Sequence, residues 1–210
     1  MPKQLLIIGA GGHGKVVADA AMRQGNWEKI VFLDDRFPNL KSVMGIEVIA
    51  QINDCEQLSD SNTQVIVAIG NAQVREKIQE QLSHRGISIA TVCHPSAIIA
   101  QSAQIGAGTV IFAAAVINPD VKIGRGVIVN TGAVVEHDCE IGDWTHLCPK
   151  VACAGNVKIG SQVWVGMGAN IIQNISVGSS AVVGAGAVVV RDVKNHQQVV
   201  GVPAREMVRV

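Results

Sequence analysis

Residues 115–132 read "AVINPDVKIGRGVIVNTG", which divides into the hexads AVINPD, VKIGRG and VIVNTG. The same frame runs from Ala97 to Asp192 in sixteen blocks. The third residue is Ile, Val or Leu in fifteen of them, Cys153 being the exception, and the first is always small or β-branched. A six-residue repeat sustained over that length is the signature of a parallel β-helix. Glycine occupies the fourth position at 106, 124, 142, 160 and 178, a second period of 18 residues. Three hexads therefore make one coil, and residues 18 apart stack along a triangular prism of about five coils, each rising ~4.8 Å. A β-sandwich would instead need turns every 8–12 residues or so. Hexad positions one and three must fill the interior, so positions two and five point outward.

Upstream of the hexads the texture differs. "QLLIIGA" (4–10), "KIVFLDD" (29–35) and "QVIVAIG" (64–70) are strands. "GKVVADAAMRQG" (14–25) and "NAQVREKIQEQLSHRG" (71–86) are helices, the second opening on a capping Asn and both closing on Gly. Strand, helix, strand at this spacing predicts a small parallel, Rossmann-like α/β sheet with room for about four strands. Ligands of such sheets bind at the carboxyl ends of the strands, where "GAGGHG", "DDR" and "GNAQ" all fall. The expected organisation is a nucleotide-sugar-binding domain over 1–92, a β-helix over 93–192 and a C-terminal tail over 193–210.

Composition narrows the function. Formal charge is zero and charged residues make up 16%, with no basic footprint for nucleic acid. Three Phe, three Trp and no Tyr offer little for base stacking. No apolar run approaches 18 residues, so no membrane span is expected. Five irregularly spaced cysteines suit reduced thiols in a cytoplasmic protein, and the lack of paired CxxC spacing argues against zinc.

One stretch interrupts the regular pattern. In "AVVEHDCEIGDWTH" (133–146), Glu136, His137, Asp138, Glu140, Asp143 and His146 crowd together. By hexad position His137 and His146 face outward, whereas Cys139 and Cys153 face inward. A Cys139–His137 nucleophile pair would therefore straddle the wall. An outward His137 beside carboxylates is the better general base, because a neighbouring carboxylate raises imidazole basicity and fixes its tautomer. One coil on, 137 + 18 is Gly155, which leaves the backbone amide open beside the imidazole for an oxyanion. His146 lies half a coil away, so the two histidines share a site only if chains meet side by side, most simply as a trimer.

The whole chain resembles the hexapeptide-repeat sugar acetyltransferases of the sialic-acid O-acetyltransferase and bacillosamine-pathway N-acetyltransferase type. The resemblance rests on "IIGAGGHGKVV", "FLDD", "HPSA", the hexads, "VVEHD.EIGD..H" and "VGVPAR" in order. It implies a left-handed β-helix, although ordinary crossover rules favour right-handed connections. It further implies a homotrimer with acetyl-coenzyme A between neighbouring prisms, His137 as base and Asp138 as its assisting carboxylate. His146 would contact the acetyl group, and the Gly155 amide would receive the thioester oxygen. Asn118 would face the sugar, and Gly11, His13, Gly14, Asp34, Asp35 and Arg36 would hold the uridine nucleotide. The acceptor it favours is the amine of a UDP-linked 4-amino-4,6-dideoxy-N-acetyl sugar, as in bacillosamine-type glycan biosynthesis. Sialic acid O-acetylation is the alternative.

Two other readings compete. "GAGGHG" (9–14) with Asp34 fits a dinucleotide fingerprint and hence an oxidoreductase, but the second mononucleotide half has no room before the hexads. A non-catalytic β-helix module is the other, and an inert prism would not need the cluster at 136–146.

Overall fold

The computed structural model describes residues 4–207. The chain forms two compact units, Met1–Pro95 and Ser96–Val210.

In the first unit, β1 (Gln4–Ile8), α1 (Gly12–Gln24), β2 (Lys29–Leu33), β3 (Ser42–Val43), β4 (Ile46–Ala50), β5 (Thr63–Val67) and α2 (Ala72–His84) follow in order. The sheet order is β3-β4-β2-β1-β5, parallel except for the β3–β4 hairpin. Leu5 to Ile8, Val31 to Leu33 and Val65 to Val67 are at most 1% exposed, as expected of parallel strands covered on both faces. Each such side chain contributes about 1.5–3 kcal/mol on burial. The α1 C-terminus closes on Gly25 in the left-handed region, and the Asn71 side chain caps α2 by accepting the Val74 N–H. The sequence reading missed the hairpin, because β3 is only two residues long; its turn, Met44 and Gly45, has both φ angles positive. The sheet ends at β5, and no second mononucleotide-binding half follows it.

The second unit is the parallel β-helix. One face stacks Ile98–Ile99, Val116–Ile117, Val134–Val135, Ala152–Cys153, Asn170–Ile171 and Val188–Val189. A second stacks Gln104–Ile105, Lys122–Ile123, Glu140–Ile141, Lys158–Ile159 and Ser176–Val177. The third carries Val110–Ile111, Ile128–Val129, His146–Leu147, Trp164–Val165 and Val182–Val183, and is extended by Gln198–Val200. Every pairing within the hexads is offset by 18 residues, as Val116 with Val134 and Val134 with Ala152. From Thr109 onward, positions one and three are buried in every hexad.

Two features of the corners explain the repeat. Position six is left-handed in nearly every block, at Asp120, Asp138, Trp144, Lys150, Asn156 and Gln162 among others. Position four on the corner after the second face is glycine because successive coils touch there: a Cβ on Gly142 would lie 2.5 Å from the Gly160 carbonyl carbon. The buried Thr145 hydroxyl donates to the Gly160 carbonyl (2.8 Å) and accepts the Val163 N–H (3.1 Å), so the interior holds this polar group satisfied.

Gly142→Ala must push two coils apart and is expected to lose about 1–3 kcal/mol. Gly168→Ala, whose Cβ would meet nothing within 4 Å, bears only the left-handed penalty of about 1 kcal/mol. Urea unfolding of the two variants beside the parent checks the ranking.

Candidate active site

His137 follows the first-face strand Val134–Val135 at hexad position five. Its neighbour Asp138 sits at position six with φ 62, a conformation that Asp tolerates better than most residues. That turn brings the Asp138 carboxylate back onto its own neighbour, with Oδ2 2.7 Å from His137 Nδ1. The imidazole therefore donates Nδ1–H to the carboxylate and keeps its lone pair on Nε2. The two side chains are 61% and 58% exposed, open to incoming molecules. The hydrogen bond from Asp138 raises the His137 pKa above its ordinary value; solvent loss opposes this weakly, and the charges of Asp138 and Glu136 add to the rise.

Gly155 lies one coil above, and its role is steric as well as electrostatic. A Cβ there would stand 2.7 Å from His137 Cε1 and 2.8 Å from Nε2. The imidazole thus rests flat on a backbone that only glycine leaves bare. Successive coils hydrogen-bond beside this stack, Asn156 N–H to the His137 carbonyl (2.9 Å) and Asn174 N–H to the Gly155 carbonyl (3.1 Å). The Gly155 N–H itself donates to no carbonyl of the ladder. Position five does not need that hydrogen, since Pro119 and Pro149 occupy it in other coils.

His146 belongs to the third face, at position two of its hexad between Ile128 and Trp164. Within one chain the two histidines therefore stand on different faces. Its Nε2 is 3.1 Å from Asn130 Nδ2, a partner that the sequence reading did not single out. Asn118 is half-buried one coil below Glu136, its N–H tied to the Val135 carbonyl. The rest of the charged cluster holds coils together. Glu140 pairs with Lys122 across the second face, and Asp143 accepts the Arg125 N–H (2.8 Å) and its guanidinium (2.9 Å). Trp144, 2% exposed, lies over Gly126 beneath that guanidinium.

In the first unit the turn after β1 and the end of β2 are clamped together. Asp34 accepts the Ala10 N–H (2.8 Å), the Arg36 N–H (3.1 Å) and both arms of the Arg36 guanidinium (2.7 and 2.9 Å). The Arg36 hydrogen bond holds the Asp34 carboxyl well below the usual carboxylate range, against the effect of burial. Asp34 is thus committed to the fold, and Arg36 to Asp34. Gly14 is required for packing, since a Cβ there would lie 2.0 Å from the Gly9 carbonyl oxygen. Gly11 caps α1 with no side chain over the first turn, and the half-buried His13 follows it, so the helix start suits an anion. Asp35 accepts the Ile52 N–H (3.1 Å) and borders a cleft of about 500 Å³ lined by Ile52, Asn53, Ile69, Val74 and Lys77. These lining residues carry no motif, and only the packing of α2 against the sheet end brings them together.

Residues 4–82 match the family described as the PglD N-terminal domain. The chain is 37% identical over 110 residues to UDP-N-acetylbacillosamine N-acetyltransferase of Bacillus subtilis (strain 168), a match that spans half of each chain. It is 32% identical over 170 residues to GDP-perosamine N-acetyltransferase of Escherichia coli O157:H7, covering 79% of this chain and 76% of the relative. The acetyltransferase domain of PglB from Neisseria gonorrhoeae FA1090, solved with acetyl coenzyme A, superposes with a TM-score of 0.96 at 40% identity over 99% of this chain and 100% of that one. This chain belongs to the hexapeptide-repeat sugar N-acetyltransferases.

Family membership directs attention away from the thiols. All five cysteines are free, and burial pushes Cys148 up to about 11 and raises Cys55, Cys93, Cys139 and Cys153 as well. Cys139 is buried and donates to the Ala154 carbonyl inside the prism. No described helix is long and apolar enough to cross a membrane, and no metal-holding group of His, Cys, Asp or Glu occurs among the described residues.

Gly155→Ala is expected to leave thermal unfolding unchanged, because the side chain that must yield is a solvent-exposed imidazole. A displacement of His137 by about 1 Å should lower kcat on the order of 100-fold. Asp138→Asn removes the largest cause of the raised His137 pKa, so the proton should leave at lower pH than in the parent. NMR titration of the imidazole reads that downward shift directly.

Proposed function

We propose that the protein transfers the acetyl group of acetyl-coenzyme A to the 4-amino group of a nucleotide-linked 4-amino-4,6-dideoxy sugar. Within that class we assign a UDP-linked N-acetyl sugar of the bacillosamine type. The observation that carries the reading is the His137–Asp138 pair at 2.7 Å, resting against Gly155 with the Gly155 N–H unused by the ladder. A base with its lone pair outward beside an open amide donor is what attack on a thioester needs.

The amine nitrogen attacks the thioester carbonyl carbon while His137 Nε2 takes its proton. Asp138 stabilises the imidazolium that forms, as the raised pKa of the ring implies. The tetrahedral oxyanion meets the Gly155 N–H, the C–S bond breaks and coenzyme A leaves as the thiolate. General-base and oxyanion contributions of this kind are worth about 10²–10⁴-fold and 10²–10³-fold. Thiols held protonated by burial give no competing acyl-enzyme route.

His137 and His146 lie on different faces, so the reading includes a homotrimer in which one prism supplies the base and its neighbour supplies His146 to the acetyl group. Asn118 lies on the same ladder as Glu136 and is assigned to the sugar. The nucleotide is assigned to the first unit, its diphosphate at the start of α1 by Gly11, His13 and Gly14, its base beside Asp35. Asp34 and Arg36 shape that site from behind. We place the reaction in the cytoplasm.

Thiol release from acetyl-coenzyme A tests the assignment, with a UDP-4-amino-dideoxy sugar, GDP-perosamine, the dTDP counterpart and sialic acid as acceptors. Release with the UDP sugar that falls at least 10²-fold in His137→Ala is the expected result. Preference for GDP-perosamine would move the assignment to the other nucleotide, and release with sialic acid alone would make the enzyme an O-acetyltransferase. Silence with every acceptor would refute the reading.

A further inference from the structure

Asn130 and His146 meet through a chain of contacts whose polarity is fixed at one end. The Thr131 N–H can only donate, and it does so to Asn130 Oδ1 at 2.9 Å. The oxygen of the amide is thereby identified, and the group 3.1 Å from His146 Nε2 is the NH2. An amide NH2 donates and does not accept, so the contact is a hydrogen bond only when Nε2 offers its lone pair. The proton of the neutral ring then sits on Nδ1. An imidazolium would set one N–H against another.

The two histidines of the cluster are thus prepared in opposite senses. In His137 the carboxylate of Asp138 takes Nδ1–H and the basic nitrogen Nε2 is left for chemistry. In His146 the basic nitrogen is the one already occupied. The ring lies between Ile128 and Trp164 on the third-face ladder, which limits its rotation.

We propose that Asn130 is a positioning residue that holds His146 as the neutral Nδ1–H tautomer, making that ring a hydrogen-bond donor to the acyl carbonyl oxygen and not a second base. The use of the donor rests on the acetyl transfer proposed above; the tautomer itself does not. The arrangement suits the reaction. A second free base would compete for the amine proton, whereas a donor aimed at the carbonyl strengthens as negative charge develops on the oxygen. The pin on the amide also has a structural origin. The prism does not use the N–H at hexad position five, which is why Pro119 and Pro149 are accommodated there, and in this coil that spare hydrogen orients Asn130.

The test is 15N NMR of the full-length protein labelled at histidine, with the His146 signals assigned by their loss in His146→Gln. The parent should show a protonated Nδ1 and an unprotonated Nε2. In Asn130→Asp the facing carboxylate only accepts, so Nε2 should take up a proton. Thr131→Pro, a residue the corner tolerates at this position, should release the amide to rotate and move the population the same way. Both variants should lower kcat/KM for acetyl-coenzyme A about tenfold while leaving the His137 titration unchanged. A parent protonated at Nε2, or an Asn130→Asp protein that keeps Nε2 bare, would overturn the proposal. So would loss of activity with no change of tautomer, which would give Asn130 a purely structural part. Tautomers as expected in a protein that acetylates no nucleotide amino sugar would instead overturn the transfer reading and leave the hold of Asn130 on the ring intact.

Discussion

The structure depends on one constraint, the backbone ladder that ties residue n to residue n + 18. Each coil donates to the carbonyls of its neighbour on all three faces, as Val116 N–H to Ala133 and Lys122 N–H to Cys139. This fixes the coil spacing near the separation of ordinary β-strands. At that spacing the corners after the second face have no room for a Cβ, and the backbone must pass through the left-handed region once in each hexad. The aliphatic interior then fills a prism whose cross-section the ladder has already set.

The site inherits its geometry from the same rule. His137 lies directly above Pro119 and directly below Gly155, so the imidazole, its platform and the open amide share one line along the prism. Asp138 reaches His137 because position six is where the chain reverses its twist. The left-handed corner that closes the coil therefore also aims the assisting carboxylate. No loop is recruited for this purpose, which accounts for a well-defined pair at a fully exposed place.

Much of this was legible in the sequence, for a physical reason. A repeat forces every residue of one position into one environment, so inward and outward directions follow from counting alone, and His137, Asp138, Gly155 and the buried Cys139 could be placed that way. What counting could not give was anything that depends on which atom faces which. Position six carries Gly, Asp, Asn, Lys and Trp, residues with no shared chemistry, and its common backbone conformation emerges only from the coordinates. The contact of Asn130 with His146 spans 16 residues, not 18, and so falls outside the stacking rule. Glu140 and Asp143 looked like part of the catalytic cluster but brace neighbouring coils through Lys122 and Arg125. In the first unit, the DDR segment suggested ligand contacts throughout, yet Asp34 spends its acceptors on Ala10 and Arg36.

The vertical alignment of His137 with Gly155 also bears on how such chains change length over time. The base pair and its platform are defined by residues n, n + 1 and n + 18, with no reference to the ends of the prism. A duplication or loss of one whole coil beyond residue 160 slides the upper part along the axis and keeps every stacked relation below it. A single-residue insertion between 137 and 155 rotates the platform out from under the imidazole and turns the interior outward at the same stroke. Length in this architecture is therefore quantised, and drift in steps of 18 is compatible with an undisturbed reaction centre.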